Sequence, residues 1–198
     1  MSRTPNFDYD NNVIGACGEK LFESYAIRKK YKYIDVREDQ RFQRLDIDYI
    51  LIRNPEYDLE RILEENLFTK YNEHKNNWVS VEVKTDTRTH DTRNIVYEIT
   101  SHDNPGCMAR SNADMIFYFA VNEDATKIYE GWIVNTKNWR EWIRENAPKL
   151  NGNVIDKQPI RIHNYNTHKD KCLNFLCNIE TLVKNKIATK INLYESRT

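Results

Sequence analysis

The segment Trp78–Asp86, WVSVEVKTD, places Val79, Val81 and Val83 on one side of an extended chain and Ser80, Glu82, Lys84 and Asp86 on the other. Period-two alternation of this length specifies a β-strand with one face toward a core. Its second face is unusual. A carboxylate and an ammonium two residues apart must project into one space. The chain around this strand therefore has to supply an apolar layer on the valine side and a polar, chemically demanding environment on the other.

A second strand signal, RLDIDYILI, covers residues 44–52, with Asp46, Asp48 and Ile50 expected on one face and Ile47, Tyr49 and Leu51 on the other. Asn54-Pro55 breaks it. Residues 49–81, 33 in all, separate Asp48 from Glu82. That is too long for a hairpin, and LERILEENLFTKY within Tyr57–His74 has helical periodicity, so a helical insertion is expected there. A helix is expected from Gly15 through GACGEKLFESYAIRKKY, its apolar arc formed by Ile14, Leu21, Phe22 and Tyr25, with Glu19 at the rim. Residues 1–13 read as a polar lead-in.

Further strands are expected at Tyr33–Arg37, Asn94–Ser101, Met115–Val121, Lys127–Val134 and Pro159–His163. A short turn of helix is expected at Ala109–Asn112, a helix over TKNWREWIRENA and a closing helix over Asp170–Lys186. The pattern is that of an α/β chain, a central mixed sheet flanked by helices in a single domain over residues 1–198. With 12% aromatic residues and zero net charge, the chain lacks the composition of disorder. The same neutrality gives no global electrostatic pull toward nucleic acid, so any such binding rests on local patches. A polar N-terminus and no run of membrane-spanning length point to a cytoplasmic protein with reduced thiols.

The chemistry suggested is that of a metal site. If the two motif strands pair, they lie roughly 4.8 Å apart, and Asp48 and Glu82 reach one divalent ion. The Val83 side chain points to the core while its carbonyl remains available as a third oxygen. Asp46 shares the expected face of Asp48 and is a rival ligand. Glu23, one helical turn beyond Glu19, is a rival to that residue.

GACGEKLFESYA, LDIDYIL and WVSVEVKTD, in that order, resemble the PD-(D/E)XK nuclease superfamily, the restriction-endonuclease-like fold that includes archaeal Holliday-junction resolvases. The matching residues are Gly15, Gly18 and Glu19; Ile47 and Asp48; and Glu82, Val83, Lys84 and Thr85. They cover roughly the first half of the chain. No proline precedes Asp48. The resemblance implies a deoxyribonuclease in which Asp48, Glu82 and the Val83 carbonyl hold Mg²⁺ or Mn²⁺, Lys84 orients or activates the attacking water, and Glu19 tunes the site from the helix. DNA is the implied partner. A homodimer fits such an activity, since cutting both strands commonly uses two sites. The alternatives are a non-catalytic nucleic-acid-binding module on the same fold, or an interaction protein whose strands happen to carry the pattern.

Outside that core, Asp86 and Glu98 are candidate extra carboxylates, Glu98 on a strand expected beside that of Glu82. Arg88, His90 and Arg93 form a candidate phosphate loop, and Arg110 and Ser111 a candidate substrate edge. The tryptophans read as core. His163, His168, Cys172 and Cys177 lack the compact CxxC pair of a zinc site, and the four cysteines form no iron–sulfur set.

Overall fold

The structure, a computed structural model, describes residues 7–52, 66–73, 78–101, 104–146, 160–166 and 171–193. Its centre is a six-stranded mixed sheet. In spatial order the strands are β1 (Lys32–Asp35), β2 (Tyr49–Ile52), β3 (Trp78–Asp86), β6 (Met115–Val121), β7 (Ile128–Asn135) and β10 (Ala188–Lys190). Strand β3 runs antiparallel to β2 and parallel to β6. A second, four-stranded antiparallel sheet has the order β5 (Asn104–Pro105), β4 (Asn94–Ser101), β9 (Lys171–Asn178) and β8 (Ile160–Asn166).

Helix α1 (Phe7–Arg28) covers one face of the large sheet, burying Phe22, Tyr25 and Ala26 against Tyr49, Leu51, Val79, Val81 and Phe117. Its closest approach to the sheet is at Gly18. A Cβ there would lie 1.9 Å from Thr85 Oγ1 and 3.2 Å from Val83 Cγ1. A glycine costs an α-helix about 1 kcal/mol relative to alanine, and here it lets helix and strand meet. At Gly15 a Cβ would meet nothing within 4 Å.

The opposite face is shared by two apolar groups. Ile34, Phe42, Ile47, Ile50 and Trp78 pack at one end. At the other, Tyr118, Trp132 and Val134 meet Trp139, Trp142 and Ile143 of a helix at Thr136–Asn146, together with Ile95, Tyr97, Phe175 and Cys177 of the second sheet. One continuous core thus joins the two sheets. All four tryptophans are buried in these groups. Among the described residues, no helix is long and apolar enough to cross a membrane.

Several expectations are corrected. The helix begins at Phe7 rather than Gly15, absorbing part of the polar lead-in. The second motif strand is Tyr49–Ile52 rather than residues 44–52. Asp39 caps a short helix at Gln40–Gln43, and Leu45, Asp46 and Ile47 donate their N–H groups back to Phe42 and Gln43. Those local bonds remove the donors a strand would need, and Asp46 takes a left-handed φ of 49°. Ile47 consequently packs with Ile50 and not with Tyr49 and Leu51.

Residues 171–186 are not one helix. Residues 171–178 pair with both β4 and β8, and only Ile179–Lys184 is helical, capped by the Asn178 side chain on Thr181 N–H. Strand β4 lies in the second sheet, not beside β3. Of the expected insertion, Leu67–Glu73 is helical; residues 53–65 and 74–77 lie outside the described residues.

Candidate active site

The two motif strands pair with Tyr49 opposite Val81. Asp48 sits where β2 leaves the ladder. Its N–H donates to Val81 O at 2.8 Å, while its side-chain Oδ2 accepts the N–H of Val83 at 2.7 Å. Asp48 therefore grips the backbone on either side of Glu82. Lys84 feels the charge of both Glu82 and Asp48.

Glu82 is 2% exposed. Its Oε1 accepts from the Lys84 ammonium at 2.7 Å. Its Oε2 is buried and makes no hydrogen bond of ordinary geometry, although the Ser111 hydroxyl is near enough to act on the carboxylate. Burial pushes the Glu82 carboxyl above the usual glutamate range, against the pull of Lys84 and of the nearby Ser111 hydroxyl, while Asp46 pushes it further up. Burial likewise raises Asp48, opposed by the Val83 N–H and the charges of Lys84 and Arg37.

Lys84 behaves in the opposite sense. Burial alone would favour the neutral amine, but the Glu82 carboxylate, the Cys107 thiol group and Asp48 together hold its ammonium above the ordinary lysine value. Lys84 is a firm cation and hydrogen-bond donor at neutral pH, with its side chain 37% exposed at the mouth of the site.

Glu19 reaches this group from α1. Desolvation raises its carboxyl; Arg37 lowers it, and the charge of Asp48 raises it again. Arg37 was not among the expected site residues. Its guanidinium holds Glu19, Glu23 and Asp35 and lies 5.1 Å over the Tyr49 ring. Glu23 also accepts the Tyr49 hydroxyl at 2.9 Å, which gives it a structural task. A lone arginine just past a short strand carries no sequence signal for this position.

Asp46 stands apart from its rival. Both of its oxygens are engaged by Arg110, at 2.8 and 3.1 Å, whereas Asp48 holds the β3 backbone. Asp46 remains close enough for its charge to act on Glu82 and Asp48. Ser111 lies beside Asp46 as well, its hydroxyl donating to the Asp46 carbonyl at 3.4 Å. Cys107, at the start of the same short helix (Cys107–Arg110), is also beside Lys84 and Glu82, and burial pushes its thiol up to about 12. Glu98 accepts the Cys107 N–H at 2.8 Å and so supports that helix.

Other candidates are committed elsewhere. Asp86 accepts the Tyr118 hydroxyl and the N–H groups of Arg88 and Thr89. Arg93 pairs with Glu130 and Glu180, and His90 stacks on Tyr129 at 3.9 Å. Cys172 and Cys177 are on opposite faces of β9, His163 pairs in register with Asn174 on the neighbouring strand, and His168 lies outside the described residues.

The residues suit a hard divalent cation, which takes carboxylate and carbonyl oxygens. A buried carboxylate oxygen with no partner costs about 1–3 kcal/mol, and a bound cation would remove that cost. Among the described residues, no three His, Cys, Asp or Glu side chains gather at one point. Comparison with protein-family models, curated proteins and solved structures finds no match to this chain.

Proposed function

We propose that the protein is a Mg²⁺- or Mn²⁺-dependent DNA endonuclease of the PD-(D/E)XK type, with Asp48, Glu82, Lys84 and Glu19 as its working residues. The observation that carries this reading is the buried, unpartnered Oε2 of Glu82, with Asp48 gripping the same strand and Lys84 on the other oxygen. Most buried polar atoms have a hydrogen-bond partner. A half-satisfied carboxylate suits a ligand site.

In this reading Asp48 and Glu82 hold the cation, with the carbonyl of Val83, the residue after Glu82, as a further oxygen. A cation held by these residues would supply Lewis-acid polarisation of the phosphate and a more acidic water. Lys84, kept protonated by its acidic neighbours, orients that water and offsets phosphate charge; it is not the base. Glu19 adds negative charge from the helix side, moderated by Arg37. Gly18 supports the arrangement by bringing α1 against Val83 and Thr85. The helix–strand–strand order of these residues and the mixed sheet fit a restriction-endonuclease-like fold.

Two measurements test the proposal. Calorimetric titration with Mn²⁺ should show binding in the wild type and its loss in Glu82→Ala. Linear, branched and single-stranded DNA should be cut by the wild type with Mn²⁺, and not by Asp48→Ala or Lys84→Ala. Equal cleavage by all three proteins, or metal binding indifferent to Glu82→Ala, refutes the assignment.

A further inference from the structure

The rim of the site is formed by two turns held face to face. Asn112 N–H donates to Leu45 O at 2.8 Å, the Ser111 hydroxyl donates to Asp46 O at 3.4 Å, and Arg110 makes its two bonds to the Asp46 carboxylate. Behind them Arg140, on the helix at Thr136–Asn146, donates to the carbonyls of Met108 and Ser111. The segment carrying Arg110 is thus braced from the core side. What it presents outward is the Arg110 guanidinium, with a side chain 54% exposed.

Arg110 is the exposed member of this pair, and Asp46 is 13% exposed. By comparison Arg37 and Arg93 are 28% and 33% exposed, and each holds two or more acids. The Arg110 contact has the planar, two-pronged form, Nε and Nη2 on two oxygens of one carboxylate. A phosphate offers the same two-oxygen edge. Asp46, which receives the fork, is near enough to Glu82 and Asp48 for its charge to bear on both.

We propose that Arg110 is a substrate-binding residue that grips a DNA backbone phosphate beside the Asp48–Glu82 site, exchanging the Asp46 carboxylate for the phosphate. The assignment rests on the nuclease reading and extends it to the rim. Asp46 then has the role of a competitor that parks the guanidinium in the free protein. A phosphate contact of this kind supplies affinity without reading sequence.

The test is steady-state cleavage, with Mg²⁺, of whichever DNA the wild type cuts best, over a series of salt concentrations. In Arg110→Gln, KM rises roughly tenfold, as expected for a lost charge-assisted bidentate contact. The dependence of log(kcat/KM) on log salt becomes shallower by about 0.9. kcat and the melting temperature stay near wild type, which a merely structural role would not give. Arg110→Lys restores the salt slope but only part of KM, because an ammonium lacks the fork. Asp46→Asn, an isosteric change that tolerates the left-handed backbone, lowers KM by releasing the guanidinium. Unchanged KM and salt slope in Arg110→Gln, or a loss confined to kcat, overturns the assignment and leaves the nuclease reading standing. A wild type that cuts no DNA overturns both.

Discussion

Two charged clusters sit on the large sheet, and they are built by opposite rules. Around Glu130, at the β7 edge, Arg93 and Lys190 each make a direct ion pair and His90 lies 3.8 Å away. Arg93 reaches a second acid, Glu180. Although partial burial of Glu130 acts to raise its carboxyl, the hydrogen bonds and charges of Arg93 and Lys190 hold it below the usual range. Glu82 is more deeply buried, has one cation on one oxygen, and its carboxyl is pushed up. The saturated cluster ties β4, β7, β10 and the helix at Ile179–Lys184 together. The under-paired one leaves Glu82 Oε2 without an ordinary hydrogen bond. The two clusters differ in how many cations meet the central carboxylate and in how deeply it is buried.

The sharpest way to break this comparison is activity. Lys84→Ala should lower cleavage by more than about a hundredfold, since even residues that merely support a metal site are worth ten to a hundred. Arg93→Ala should leave cleavage within about twofold and instead lower the melting temperature by a few degrees, for roughly 1–2 kcal/mol of lost charged hydrogen bonds. An active Lys84→Ala, or an inactive but folded Arg93→Ala, would exchange the roles of the two clusters.

A smaller effect sharpens how the site is held. Gly18→Ala forces a methyl into Thr85 and should cost about 1–3 kcal/mol by overpacking, with loss of cleavage as α1 shifts. Gly15→Ala meets nothing and should stabilise the helix by about 0.5–1 kcal/mol. Urea denaturation of the pair should show opposite signs. Equal signs would mean that the helix–strand contact does not constrain the site.

The smallest effect is the pH dependence of stability without metal. Glu82 has a folded pKa above its unfolded one, so its contribution is favourable below the ordinary glutamate value and is lost as pH rises through the folded value. Glu130 has a depressed pKa, so its contribution is present above the ordinary value and is lost as pH falls through the folded one. Thermal melts of Glu82→Gln and Glu130→Gln against pH should therefore differ from wild type with opposite slopes. Mn²⁺ should cancel the Glu82 slope and leave that of Glu130 alone.

Strict alternation over Trp78–Asp86, the apolar run Met115–Val121 and the three-residue spacing of Trp139 and Trp142 were legible directly, and the structure has those elements. So was the convergence of Glu82 and Lys84, because a pleated backbone aims residues two apart into the same space. The segment KCLNFLCN was not: its apolar residues fit a helix face as well as a strand, and only pairing with Asn94–Ser101 and Ile160–Asn166 decides between them. Asp46 likewise reads as a strand residue until the turn that buries Phe42 and Ile47 satisfies the local donors and turns the backbone to positive φ.

By itself the sequence determined which side chains share a face, since that depends on local period alone. The tertiary structure decided what each face meets. Arg37 comes to Glu19 across 18 positions and Arg110 to Asp46 across 64. A long cation's partner is set by where distant backbone segments are brought together, and no local pattern encodes that. The buried, half-paired state of Glu82, on which the functional reading turns, belongs to the same class. A strand residue's neighbours along the chain fix its direction, while its solvation is fixed by distant segments such as those carrying Asp46 and Ser111.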